Sequence, residues 1–181
     1  MSNHAQATPK RGRHNSPVID AVCRHLEQRV PPEEARLVAS FAEIFLSKAP
    51  PDFLDGRSTD QLAHLIRGAF EFMKISRPER VDVEVLNPDV ENEGWYAPVT
   101  VIRTNISERP FIVDSLREFL SAQGMAIEHI VYPVMHVERQ DGAPAVISPS
   151  MEGERRESLV HVEVARSADE KREVAVAEIL G

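Results

Sequence analysis

The residues best placed to hold a small ligand lie in "TNISERPFIVDS", residues 104–115, where the pattern of a strand gives way to that of a helix. Asn105 and Ser107 offer polar side chains there. Phe111 adds an aromatic wall, while Asp114 and Ser115 fall in the first helical turn, whose free backbone N–H groups attract a carboxylate or phosphate. A structural role competes: Phe111 packs into the core, largely buried, and Asp114 merely complements the helix dipole. Pro110 suits the first helical position because its φ is already helical and its missing N–H has no partner to lose; Gly124 suits the C-terminal stop.

Other reactive side chains are sparser. His129, His136 and His161 fall on predicted strands, and His129 and His136, an odd number of residues apart, face opposite sides. His136 and His161 could meet only across neighbouring strands, and two histidines lack the further ligands of a closed metal site, so solvated sheet-face histidines and no metal are expected. In "EGERRES" (152–158), Arg155 and Arg156 are offset by Glu152, Glu154 and Glu157. The eight glycines form neither G-x-G-x-x-G nor a P-loop, and H-E-x-x-H and G-x-S-x-G are missing. No catalytic residue is assigned, and no NAD or other cofactor is expected on this chain.

The elements that carry these residues change period once. Residues 17–76 read as three amphipathic helices, punctuated by Pro31-Pro32 and Pro50-Pro51. Residues 80–88 then alternate, with Val81, Val83 and Val85 on one face and Asp82 and Glu84 on a wet one. A second strand (99–105) should pair with it antiparallel, before the helix from Pro110 to Gln123. A long apolar run follows, from Met125, interrupted by Pro133; it should be an edge strand or bulged, because proline cannot donate to a ladder. Residues 143–156 read as a loop, "ESLVHVEVAR" as a strand, and Ser167-x-x-Glu170 as a capping box opening a last helix.

The fold class is therefore α+β. A polar, basic tail (1–16) precedes a helical subdomain (17–79) and a split βαβ, ferredoxin-like antiparallel sheet of four strands with helices on one face (80–181). Residues 80–88 would fill the edge position of a closing strand, unless that strand lies in downstream sequence. The formal net charge of −8 disfavours nucleic acid, and no apolar run approaches the length needed to span a bilayer. Cys23, the sole cysteine, sits on a helix face with Val18, Val22 and Leu26 as a small hydrophobe, which fits a reducing cytoplasm.

Three motifs stand in a telling order: "PFIVDS" (110–115), "HIVYPVMHVERQDG" (129–142) and "ESLVHVEV" (157–164), with Gly94-Trp95 before them. Together they resemble the N-terminal ACT-like region of the large bacterial NAD-specific glutamate dehydrogenases, with P-F-L-V-D-S, H-P…V-R-D-x-x-G and E-S-W-M-H-V-E-I. Tyr132-Pro133 stands where that pattern often has His-Pro, and Leu159-Val160 where it often has Trp-Met. Phe111 occupies the place of a glycine that, in ACT modules generally, lets an amino acid approach the backbone. The resemblance implies a non-catalytic assembly or regulatory portion of an enzyme that uses NAD to oxidise L-glutamate to 2-oxoglutarate. It implies downstream modules of the same enzyme as partners, a homo-oligomer, and a possible amino-acid effector at the turn. A free-standing ACT-like amino-acid sensor is the alternative. The run around Pro133, including Val134, is the expected surface for self-association.

Overall fold

The computed structural model describes residues 16–150 and 155–166; the polar tail and the helix expected from Ser167 lie outside the described residues. Four helices come first: α1 (Pro17–Glu27), α2 (Pro32–Leu46), α3 (Pro51–Asp55) and α4 (Thr59–Ile75). Proline opens α1, α2 and α3, where its fixed φ starts the helix at no loss of a hydrogen bond. Ser58 and Gln61 close a reciprocal capping box on α4. The single turn α3, between the second proline pair and that cap, has no counterpart in the three helices expected. Phe41, Phe45, Phe53 and Phe70 stack in tilted contacts, with centroids 5.6 to 6.5 Å apart, and form the middle of the helical layer.

The rest is β1 (Asp82–Leu86), β2 (Val99–Ser107), α5 (Ile112–Ala122), β3 (Ile127–Val131), β4 (Val134–Gln140), β5 (Ala143–Pro149) and β6 (Arg156–Ala165). The sheet runs β1-β2-β6-β4-β5, with β3 also paired to β6, and every pairing is antiparallel. β1 holds the edge beside β2 as expected, Val83 opposite Thr104 and Val85 opposite Ile102. Six strands form instead of four. Residues 143–149, expected as loop, are β5: Asp141 and Gly142 adopt positive φ (52° and 84°), the conformation of an Asp-Gly hairpin turn. Pro133 divides the apolar run into β3 and β4, both lying along β6; β5 covers the other side of β4, whereas β3 pairs with β6 alone and its register shifts between Ile127 and His129.

Helices lie on both faces, not one. Leu116 and Leu120 of α5 pack on Ile102, Val160, Val162 and Val164. On the opposite face Val99, Val101, Val131, Met135, Val137 and Leu159 join the phenylalanines of α2–α4 in one core. Val131, Met135 and Val137 are thus buried inside the chain, which removes much of the apolar surface expected there for self-association and leaves Ile127, Ile130 and Val134 half-buried. The polar side of β1 is not the wet side either. Glu84 turns toward the helices and accepts a 2.8 Å hydrogen bond from the buried Arg103, while Val83 and Val85 sit half-buried on the α5 side.

Candidate functional site

At the strand-to-helix turn, α5 starts at Ile112, and Phe111 is its N-cap with φ 67° and ψ 10°. This is the left-handed region, which crowds Cβ against the following carbonyl and which glycine adopts freely. The Phe111 ring is 73% exposed. The expectation of a buried, packed phenylalanine is therefore overturned, because the left-handed backbone swings the side chain away from the core. No side chain caps α5; the carbonyl of Phe111 accepts from the Ser115 N–H at 2.9 Å, and Asp114 and Ser115 are exposed.

Asn105 and Ser107 do not converge on this turn. β2 alternates, so its odd-numbered residues face the helical layer and its even-numbered residues face α5. Asn105 is fully buried on the helical side, its Nδ2 donating to Ser76 Oγ at 2.9 Å and to Glu157 Oε2 at 3.0 Å. Ser107 Oγ donates to the Pro78 carbonyl at 2.8 Å. What remains at the turn is an apolar groove of about 450 Å3, with Val81, Thr104 and Ile106 as floor and Phe111, Ile112 and Phe119 as wall. Arg109 and Ser115 are its polar margin.

The charged constellation lies elsewhere, sealed between the helices and the sheet. Glu163 accepts from Arg57 at 2.6 and 2.7 Å, stands 2.9 Å from His129 Nδ1 and 3.3 Å from His161 Nε2. Arg103, 1% exposed, reaches Glu84, the Leu65 carbonyl at 3.4 Å and His161 Nδ1 at 3.4 Å. Since an arginine only donates, His161 Nδ1 is the acceptor and its Nε2–H points at Glu163, which fixes a neutral tautomer. Burial pushes the His161 imidazole down to about 4 against the opposing hydrogen bond to Glu163. For Glu163 burial works upward, but His161, Arg57 and His129 outweigh it and hold the carboxyl at about 2. The rings of Phe45 and Phe53 meet His161 edge-on.

His161 is therefore a buried strut and not a solvated histidine. His129 is also largely enclosed, its Nε2 3.5 Å from Asp52 of α3. His136 lies opposite Arg156 and does not meet His161, which faces Val131 and Arg103. Glu157, expected to offset Arg155 and Arg156, is clamped by the fork of Arg139 at 2.7 and 2.8 Å, beside a cleft of about 660 Å3 at the end of the sheet. Among the described residues no three His, Cys, Asp or Glu side chains gather as a metal shell. The network can do one thing well, which is to lock α3 and α4 onto β1, β2, β3 and β6.

The family model described as "Glutamate dehydrogenase, ACT1 domain" matches residues 41–180. The chain belongs to this family. Curated relatives include the NAD-specific glutamate dehydrogenase of Halomonas elongata, 34% identical over 163 residues and 86% of this chain. That of Pseudomonas aeruginosa is 30% identical over 169 residues and 89% of this chain. The chain spans only about a tenth of the length of either relative. No solved structure matches it significantly. The span matched to the ACT1 domain opens inside α2, so the network residues Arg57, Glu84, Arg103, His129, His161 and Glu163 all fall within it. Of the positions where this ACT1 domain departs from the expected motifs, Tyr132 donates to Glu108 at 2.7 Å, and burial with that carboxylate pushes its phenol up to about 12. Leu159 and Val160 fill the two cores, one on each face of the sheet.

Proposed function

We propose that this ACT1 domain is the non-catalytic, assembly part of an NAD-specific glutamate dehydrogenase. In that enzyme the oxidation of L-glutamate by NAD to 2-oxoglutarate and ammonium takes place on other modules of a longer polypeptide. Those modules, and further copies of the chain in a cytoplasmic homo-oligomer, are its partners. One observation carries the proposal: the enclosed ionisable side chains Arg57, Arg103, His161 and Glu163 bond to one another across two layers of the fold and hold those layers together. An amino-acid effector at the turn would meet Phe111 and, suited to its carboxylate, Arg109, Ser115 and the uncapped N–H groups of α5; for its ammonium it would find no carboxylate in the groove lining, and neither Asn105 nor Ser107. That is too few polar groups to fix both its charges, and the assembly role is better supported.

Deletion of residues 17–166 from the full enzyme tests this role. The expected result is a changed assembled mass by light scattering, with NAD reduction per active site within about threefold of the intact enzyme, less than 1 kcal/mol in the barrier. Loss of turnover at unchanged mass would assign the domain a catalytic contribution instead.

A further inference from the structure

The cleft of about 660 Å3 at the end of the sheet is lined by charge of both signs. β6 begins there between β2 and β4, with Glu157 opposite Ser107 on one side and Met135 on the other, and Arg155 and Arg156 stand exposed at its start. Pro78 and Glu79 lie beside the end of β2, because the Ser107 N–H and hydroxyl both donate to the Pro78 carbonyl. Glu79 and Glu108 therefore flank the two arginines on the β2 side, and Glu138 flanks them on the β4 side. Glu157, expected to offset the arginines, is held by the Arg139 fork instead, and neither exposed guanidinium is paired with a carboxylate among the described residues.

We propose that this cleft is a contact between two copies of the chain, each laying Arg155 and Arg156 against Glu79 and Glu138 of the other. The inference rests on the reading of further copies as partners and gives them a surface. Charge selects the occupant. The lining sets three arginines against four glutamates, so a small anion or cation gains little net attraction, and an occupant has to present both signs in the right order. A two-fold interface brings one patch against itself. A row ordered carboxylate, guanidinium, carboxylate meets its own two-fold copy with opposite signs facing when the axis falls between neighbours. Over the rest of the surface two copies, each at a formal net charge of −8, repel. Here the signs nearly balance, and the planar fork of an exposed arginine can grip a carboxylate through two parallel hydrogen bonds.

The test uses the 181-residue chain by itself, so it can fail while the chain's place in a dehydrogenase stands. In sedimentation equilibrium the native chain should form a dimer that weakens as salt rises from about 0.01 M to 1 M, because exposed charges are screened over that range. Arg155→Glu with Arg156→Glu, and separately Glu79→Arg with Glu138→Arg, should each raise the dissociation constant at least about tenfold, since like charges then face each other. Mixed in equal amounts, the two variants should associate again, with opposite signs restored at both contacts. Both variants keep a net negative charge, so general attraction between them cannot imitate this recovery. A native chain that stays monomeric at its highest soluble concentration would overturn the proposal and leave the cleft to another partner. A dimer that neither variant weakens would place the contact on another surface, and a mixture that stays dissociated would contradict the pairing.

Discussion

Phe111 combines a left-handed backbone with a ring left mostly in solvent, so neither its conformation nor its packing within the described residues accounts for it. Phe111→Ala and Phe111→Gly both lose the ring, and only glycine adopts that φ without a Cβ penalty. The glycine variant should therefore be the more stable of the two by about 1 kcal/mol in urea denaturation; equal midpoints would mean that the turn relaxes. His161 sets the response to acid. Its imidazole is held at about 4 in the fold against an ordinary 6.5, so between those values the unfolded chain carries a proton that the folded chain lacks. Stability then falls as pH falls through that window, and Glu163, held at about 2 against 4.5, continues the loss at lower pH with the same sign. His161→Gln should flatten the dependence of the urea midpoint between pH 7 and 4; a slope equal to the native one would contradict the buried neutral histidine. The valines of "LVHVEV" were legible as a core face from alternation alone. His161 was not, because an alternating strand implies one wet face, and the residues that cover it, Phe45 and Phe53, lie far upstream in the chain.

Among the elements, α3 has the least local reason to exist. Five residues are too few to be stable alone, and the turn is held by the buried Phe53 and by Arg57 just beyond it, whose guanidinium lies 4.1 Å over that ring while it binds Glu163. Arg57→Ala leaves the Glu163 carboxylate buried without its main cation. The expected cost in urea denaturation is about 3–5 kcal/mol; a loss below about 1 kcal/mol would show the network to be dispensable. α1, α2, α4 and the β1–β2 pair were readable from period, proline pairs and caps, and the end of α5 from Gly124, which has φ +67°; the start of α5 was not, because the helix opens at Ile112 behind a left-handed Phe111 and not at Pro110. β5 was missed although Asp141-Gly142 is a strong hairpin signal, and the segment after that turn carries two prolines, Pro144 and Pro149. Those prolines sit on an outermost strand, where they remove donors from an edge that would otherwise invite pairing.

At the scale of the whole molecule, the sheet is a shared wall. One face closes on α5, and the other forms a single core with the helices that precede it, pinned by the Arg57–Glu163 and Arg103–Glu84 pairs. The motifs of residues 110–164 pointed to the dehydrogenase family, whereas the burial of both faces was not visible in them, since it depends on how distant segments pack. The central claim is that this ACT1 domain serves within a dehydrogenase polypeptide. The most direct measurement is the size of the native protein that contains it, by mass spectrometry of tryptic peptides from gel-separated extracts of the source cells. Because the chain covers 10% of each relative, peptides from residues 17–166 should be recovered in a polypeptide about ten times as long, together with peptides of a dinucleotide-binding domain. Recovery only at the size of the 181-residue chain would contradict the claim and make it a free-standing module.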